Sequence, residues 1–178
     1  MPRKQVPWRA PQSKPAEIKY DEFKDVTSVV VDIPVFKQNQ VDGVSRVMLL
    51  AFSHGRTTTS IYQVGLAVKD KSRDWMHLHD PKLILLVDGE RRLYRNLHHQ
   101  GKADHDSFGL YVTETLIASV PMKDVALLAG ARSVKGELDS SVFEIPSAEL
   151  HRVREFASTI GANGEEGNAE DGGVADAL

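Results

Sequence analysis

Histidine is the residue type whose number and spacing in this sequence could support chemistry. His77 and His79 are two residues apart, so they share a face if they lie in a strand, and His98, His99 and His105 follow. Imidazole combined with carboxylate is a ligand set that suits zinc. Although this spacing matches no established ligand pattern, the two segments would offer three ligands if they were neighbours. The sequence therefore leaves open a zinc-binding protein or a metal-dependent hydrolase.

Basic residues form a second candidate site beside an Asp-Gly turn. They are Arg91, Arg92 and Arg95. Arg91 and Arg92 are adjacent, so they point to opposite sides of an extended chain. We interpret the segment as a solvated strand edge that discourages aggregation between strands. Binding of an anionic ligand or partner is the alternative.

The sequence gives little support to a serine nucleophile, a nucleotide cofactor or cysteine chemistry. Ser53 and His54 are adjacent, so an extended chain directs them to opposite faces, and no G-x-S-x-G elbow is present. Neither a Walker loop nor G-x-G-x-x-G occurs, so no nucleotide cofactor is expected. The absence of cysteine excludes disulfides, thiol nucleophiles and zinc sites that use cysteine. Zinc is the one cofactor that the sequence leaves under consideration.

Composition describes an ordinary globular chain. It has 178 residues, of which 41% are hydrophobic and 26% charged, with a net charge of −3. Nucleic acid is not expected as a partner because there is no global basic field. No apolar run reaches the roughly 18–20 residues that span a bilayer. The basic N-terminus lacks the apolar region of a signal peptide, so we expect a cytoplasmic protein, or an exported one whose leader is missing from this sequence.

The chain divides into an arm, one domain and a tail. Residues 1–19 form a basic arm that we expect to be disordered, because four prolines favour extended, solvated chain. These are Pro2, Pro7, Pro11 and Pro15. The alternative is a tether to an acidic partner, with Trp8 as its anchor. Residues 20–161 form a single β-rich domain, and the Gly-, Asn- and acid-rich residues 162–178 form a disordered tail.

A hairpin stands at the centre of the predicted domain. Residues 83–87 are apolar at every position, which predicts a strand buried on both faces, and Asp88-Gly89 predicts a type I′ turn. Further strands are predicted at 26–33, 44–52, 60–69, 109–118, 132–138 and 142–145. Residues 75–79 could form a short strand, and the polar residues 96–107 predict a surface loop.

Two helices complete the predicted domain. A short one lies within 120–130, between a proline and a glycine, and an amphipathic one follows Ser147. The apolar stripe of the second contains Leu150, Val153, Phe156, Ala157 and Ile160. In strand 109–118, one face carries Leu110, Val112, Leu116 and Ala118. This pattern predicts a mainly β (α+β) fold, an antiparallel β-sandwich or barrel with one short helix and a C-terminal amphipathic helix.

Three segments carry a resemblance to known proteins. They are residues 20–27 (Tyr-Asp-Glu-Phe-Lys-Asp-Val-Thr), residues 72–75 (Ser-Arg-Asp-Trp) followed by 83–90, and residues 143–150 with 154–156. Together they resemble a group of bacterial proteins of uncharacterised activity that often carry export signals. The resemblance implies a β-rich domain, associated in some cases with the cell envelope, and no activity to transfer.

Taken together, the sequence favours a non-enzymatic β-rich domain with a binding or structural role and a protein partner. The metal-dependent alternative uses the histidine-rich segments. A third hypothesis is an adaptor that recruits an acidic protein or nucleic acid through residues 1–19.

Overall fold

A computed structural model describes residues 14–37, 43–107 and 109–162. Its strands are β1 (Glu17–Asp21), β2 (Val26–Pro34), β3 (Phe36–Lys37), β4 (Gly43–His54), β5 (Ile61–Ser72), β6 (Leu83–Val87), β7 (Glu90–Tyr94), β8 (His98–Asp106), β9 (Gly109–Ser119), β10 (Val134–Leu138) and β11 (Ser141–Ile145). Its helices are α1 (Met122–Gly130), a 3-10 turn (Ser147–Glu149) and α2 (Leu150–Thr159).

The strands form two antiparallel sheets, which confirms the predicted fold class. Sheet A has the order β1-β2-β4-β5-β9-β8 and curls into a half-barrel, and sheet B has the order β3-β11-β10-β6-β7. Among the residues described, no helix is long and apolar enough to cross a membrane.

Alternating side chains build the core. In β2 the buried positions are Val29, Val31 and Ile33, with less buried residues between them. The same period of two places one face of β4 inward. Its members are Val47, Leu49 and Ala51. One face of each sheet is therefore apolar, and the two faces enclose a common core with the helices.

The β6–β7 hairpin confirms its predicted turn and corrects its predicted burial. Asp88 and Gly89 both have positive φ, at 49° and 88°, as a type I′ turn requires. The Asp88 carboxylate also accepts hydrogen bonds from the backbone N–H groups of Arg132 and Ser133. However, the strand is buried on one face only, because Leu86 is 40% exposed. The unbroken apolar run therefore does not indicate two covered faces here.

Both predicted helices are present and pack against each other. Pro121 is the N-cap of α1 and Gly130 its last residue, one position from where the pattern placed each. Tyr94 donates from its hydroxyl to Asp124 at 2.9 Å, which ties α1 to sheet B. Burial and this bond to Asp124 raise the pKa of Tyr94 above its ordinary value. The predicted stripe of α2 is buried and covers part of β2.

Three local predictions were wrong. Residues 96–107 are not a surface loop, since His98–Asp106 forms β8 and pairs along its length with β9. Residues 75–79 are not a strand, because the amides of Met76 and His77 donate to a side chain instead of a neighbouring strand. Strand β1 begins at Glu17, within the predicted arm. The arm's residues 1–13 and the tail's residues 163–178 lie outside the described residues.

Candidate functional site

The structure separates the five candidate histidines. His77 is buried and His99 partly buried, and both contact the carboxylate of Glu114. His79, His98 and His105 are exposed, and no hydrogen bond within the described part of the chain joins them to that carboxylate. Two of the five candidates therefore meet, around an acidic residue that the sequence analysis did not single out.

Glu114 is fully buried and accepts three hydrogen bonds. The donors are the backbone N–H of Met76 at 2.7 Å, the backbone N–H of His77 at 3.1 Å and Nε2 of His99 at 2.9 Å. The strand register produces this arrangement, since Glu114 on β9 lies opposite Asp70 on β5 and opposite Gly101 on β8. The bonds replace the water that a buried carboxylate loses.

The imidazole of His77 bridges the two sheets. Its Nε2 lies 2.8 Å from Oδ2 of Asp70 on β5, and its Nδ1 lies 2.6 Å from Oδ2 of Asp139 in the β10–β11 turn. Ionised carboxylates only accept hydrogen bonds, so this arrangement suits an imidazolium, in which both ring nitrogens donate. Burial by itself would lower the pKa of His77, but the bonds to Asp70 and Asp139, together with the charge of Glu114, outweigh it and raise the pKa.

We name Asp70, His77, His99, Glu114 and Asp139 the carboxylate–histidine cluster. Asp139 has a positive φ of 52° and also accepts the backbone N–H of Lys82 through Oδ1. The cluster therefore fixes the middle and the C-terminal end of the chain between β5 and β6. One of its oxygens, Asp70 Oδ1, has no hydrogen-bond partner among the described residues.

Two acidic members of the cluster share one feature in the sequence: each lies on a strand face that is otherwise apolar. The inward face of β9 contains Val112, Leu116 and Ala118, and the position missing from that series is Glu114, whereas Leu110 of the predicted face is 53% exposed. Asp70 likewise continues the buried series of Val64, Leu66 and Val68 on β5. A solitary acid on an apolar face needs a buried partner. Which partner it meets depends on strand register, which the sequence does not reveal.

The cluster holds a loop with an apolar outer surface. Residues 73–82, which we call the 73–82 loop, expose Trp75 by 39% and Met76 and Leu78 by 55% each. The indole of Trp75 packs against Gly101, where an added Cβ would come within 2.3 Å of Cζ3. It also makes an edge contact with the ring of His99. Trp75 thus packs against β8, while Met76 and Leu78 are exposed and lie outside the core.

The structure does not gather the arginine candidates into one site. All three belong to the edge strand β7 or follow it directly, and Arg91 and Arg95 are exposed. Arg92 forms an ion pair with Glu90 at 2.8 Å and lies 4.0 Å from Asp124. Binding of an anion by these residues stays a prediction, as does zinc binding by the histidines. Among the described residues, no group of three or more histidine and acidic side chains is arranged as metal ligands.

The Ser53 and His54 pair has no catalytic geometry. The hydroxyl of Ser53 is buried and donates to the carbonyl of Thr57. The ring of His54 stacks on Tyr62, with 4.4 Å between ring centroids. The two side chains therefore face different surroundings, as adjacent residues in a strand do.

A cavity lies at the other end of sheet A. It has a volume of about 730 Å³ and is lined by Lys14, Pro15, Ala16, Glu17, Ile18, Val30, Asp32, Pro34, Arg46 and Arg152. We call it the basic cavity. Arg152 on α2 is buried and donates to the backbone carbonyl of Asp32, whose side chain forms an ion pair with Arg46. Oδ1 of Asp32 is buried and has no hydrogen-bond partner among the described residues.

Comparison with known proteins does not extend the assignment. No protein-family model, curated protein or solved structure matches this chain, so its resemblance to uncharacterised bacterial proteins remains an expectation from the sequence.

Proposed function

We propose that this chain is a non-catalytic binding domain that docks a protein partner through the 73–82 loop. One observation carries the proposal. The hydrogen bonds of the buried carboxylate–histidine cluster hold a loop in place. The outward side chains of that loop are Trp75, Met76 and Leu78.

The loop is ordered before any partner arrives. Its N-terminal part is held by the bond from Ser72 to the carbonyl of Asp74, its middle by Glu114 and its end by Asp139. A surface already fixed in its binding conformation loses little conformational entropy when it binds. Tryptophan and methionine are also enriched in the buried centres of protein interfaces. These features support docking by the loop.

The charges of the loop favour a protein over a lipid surface. Arg73, His79 and Lys82 are accompanied by Asp74 and Asp80. Carboxylates on both sides of the apolar tip would be repelled by anionic headgroups, so the loop lacks the uniform basic character of membrane-docking segments. A partner with an apolar groove and a polar rim of mixed charge fits it better.

The geometry of His77 weighs against catalysis by the cluster. Its side chain is buried, and both ring nitrogens are engaged with carboxylates. A general base needs a nitrogen that can reach a proton of the substrate. The cluster instead supports the loop, which is the surface open to a partner.

Site-specific photo-crosslinking in the native host tests the proposal. A photoreactive p-benzoylphenylalanine at Leu78 is compared with the same residue at Leu86, which is also exposed but lies on the outer face of sheet B. We expect one protein product from position 78 that is absent from position 86. Direct titration of that purified partner should then show about tenfold or greater weakening by a Met76→Ser/Leu78→Ser variant.

Three outcomes would overturn the proposal. The first is an identical product pattern from positions 78 and 86. The second is cross-linking of position 78 to a second copy of this chain only, which would make the loop a self-association surface. The third is flotation of the protein with neutral or anionic lipid vesicles that the Met76→Ser/Leu78→Ser variant abolishes. Unfolding midpoints of the variants confirm that each one is folded.

A further inference from the structure

The geometry points to the basic cavity as a binding site for a small organic carboxylate that carries a hydrogen-bond donor next to the acid and an apolar side group. The cavity lies between β1, β2, β4 and α2, at the end of sheet A opposite the 73–82 loop. This site is separate from the proposed docking surface and does not depend on it.

Charge selects an anion. Three of the lining residues are cationic, Lys14, Arg46 and Arg152, whereas two are acidic, Asp32 and Glu17. Glu17 already forms an ion pair with Lys19 at 2.6 Å. Its pKa is lowered by that hydrogen bond and by the charges of Lys19 and Lys14. The lining therefore has an excess of positive charge, which a carboxylate would neutralise.

Arg152 has more N–H donors than its contacts with the described residues engage. Its side chain is buried and held in place on α2, where the guanidinium donates to the backbone carbonyl of Asp32. Nε lies 3.9 Å from Oε2 of Glu149, beyond hydrogen-bond distance. A guanidinium has five N–H donors in a planar fork, so these contacts account for only part of them. The donors that the described residues leave unengaged make Arg152 suited to receive a carboxylate from the cavity.

Asp32 supplies the matching acceptor. Its Oδ2 pairs with Arg46, while its buried Oδ1 has no hydrogen-bond partner among the described residues. A buried carboxylate oxygen is costly without a donor. A ligand whose N–H lies next to its carboxylate could bond the Asp32 carboxylate, whose side chain is 39% exposed, and reach the arginines at the same time. That combination occurs in N-acylated amino acids and in the C-terminal residue of a peptide.

The remaining wall fits an apolar side group. Ile18, Val30 and Pro34 line the cavity beside the charged residues, and Ile18 is 55% exposed. An aliphatic side chain would remove this apolar surface from water when it bound. N-acetyl-leucine therefore contains every feature that the cavity would recognise.

Calorimetric titration of the full chain with N-acetyl-leucine tests the site. We expect saturable binding that is about tenfold or more weaker for the methyl ester, which lacks the charge. Arg46→Gln should weaken binding of the acid by a similar factor. Arg91→Gln, the matched control on the edge of sheet B, should leave it unchanged. A leucine-terminated peptide with a free or an amidated C-terminus then distinguishes a peptide end from a free amino acid derivative.

Three results of these titrations would overturn the inference. These are no saturable heat with the acid or the free peptide, equal binding of acid and ester, and an unchanged dissociation constant in Arg46→Gln. Inorganic phosphate that competes as well as the acid would show a nonspecific anion site and would also overturn it. Arg46 is largely exposed, so its variant should remain folded, and Lys14→Gln provides a second exposed variant. The Met76→Ser/Leu78→Ser variant should bind the acid normally.

Discussion

The two ends of sheet A treat buried charge in opposite ways. At the β8–β9 end, both oxygens of Glu114 and both ring nitrogens of His77 have partners inside the protein. At the β1–β2 end, Arg152 and Asp32 line a cavity, and Oδ1 of Asp32 has no hydrogen-bond partner among the described residues. Both ends contain buried ions, yet only the first end uses them almost completely for internal bonds.

This difference distinguishes groups that support structure from groups that can bind a ligand. Buried charges are costly to desolvate, and internal hydrogen bonds offset that cost only when the geometry is nearly complete. A cluster whose members bond one another has little capacity left for a ligand. A site whose donors and acceptors are only partly engaged has such capacity. Substitutions at the two ends should therefore change different properties.

Removing the imidazole of His77 should produce the largest effect. His77→Ala leaves Asp70 buried without its partner and detaches the β10–β11 turn, so we expect a loss of about 3–5 kcal/mol in the free energy of unfolding. His79→Ala, in the same loop but exposed, should change it by less than about 0.5 kcal/mol. Urea unfolding measures both. Equal midpoints for the two variants would show that the cluster does not stabilise the fold.

Truncation of a buried apolar side chain provides a reference for the loss of unfolding free energy in His77→Ala. Leu85→Ala removes a buried side chain from the centre of sheet B and should cost about 2–5 kcal/mol. Leu86→Ala, on the exposed face of the same strand, should cost about 1 kcal/mol or less. If chemical denaturation gave Leu85→Ala the unfolding free energy of the unmodified chain, the core would be misplaced.

Adding a methyl group where Trp75 packs on β8 should have an intermediate effect on the free energy of unfolding. Gly101→Ala places a methyl group against the indole, and we expect a loss of about 1–3 kcal/mol with a shift in Trp75 fluorescence. The fluorescence is read in a Trp8→Phe background, so that Trp75 is the only tryptophan. Gly130→Ala is the control, because nothing lies within 4 Å of its added Cβ. An unchanged spectrum in Gly101→Ala would contradict the contact.

Raising the pH should weaken the contribution of the cluster to stability, because His77 loses its charge. The pKa of His77 is higher in the folded protein than its ordinary value. Its contribution is therefore complete below about pH 6.5 and is lost as pH rises through the folded-state pKa. Urea midpoints from about pH 6 to about pH 9 should fall more steeply for the unmodified chain than for His77→Gln. Parallel curves would exclude an imidazolium at this position.

The smallest effect on stability is expected at the basic cavity. Arg46 and Asp32 form a solvent-exposed ion pair, with side-chain exposures of 54% and 39%. Arg46→Gln should therefore change the free energy of unfolding by about 1 kcal/mol or less. Thermal and urea denaturation measure this change. A loss as large as that of His77→Ala would mean that the cavity residues have a structural role comparable to that of the cluster.

The sequence predicted the elements whose pattern is local. A run of β-branched residues identified β2, alternation identified β4, and Asp88-Gly89 identified the hairpin turn. Strand β8 was missed because it lies at the edge of sheet A and carries polar side chains on both faces. Its pairing with β9, rather than its composition, makes it a strand. The unbroken run of β6 misled for the opposite reason, since apolar side chains there remain exposed.

The candidate sites were harder to predict because they depend on long-range register. His77 could be named from the sequence, but Asp70 and Asp139 become its partners only through the arrangement of the two sheets. Arg152 was hidden for a similar reason. It belongs to an amphipathic helix whose apolar stripe was evident, and its buried position depends on how that helix lies against β2.

The attachment of α2 to the first strands has a consequence for synthesis on the ribosome. Arg152 binds the backbone of Asp32, and Glu155 accepts the N–H of Ala16 at 3.2 Å, contacts that join residues 120 and 139 positions apart. Strands β1 and β2 therefore emerge long before the helix that covers them. Until then the apolar surface beneath α2 remains open to other nascent chains or chaperones. A delay before residue 150 should thus increase aggregation more than an equal delay after residue 160.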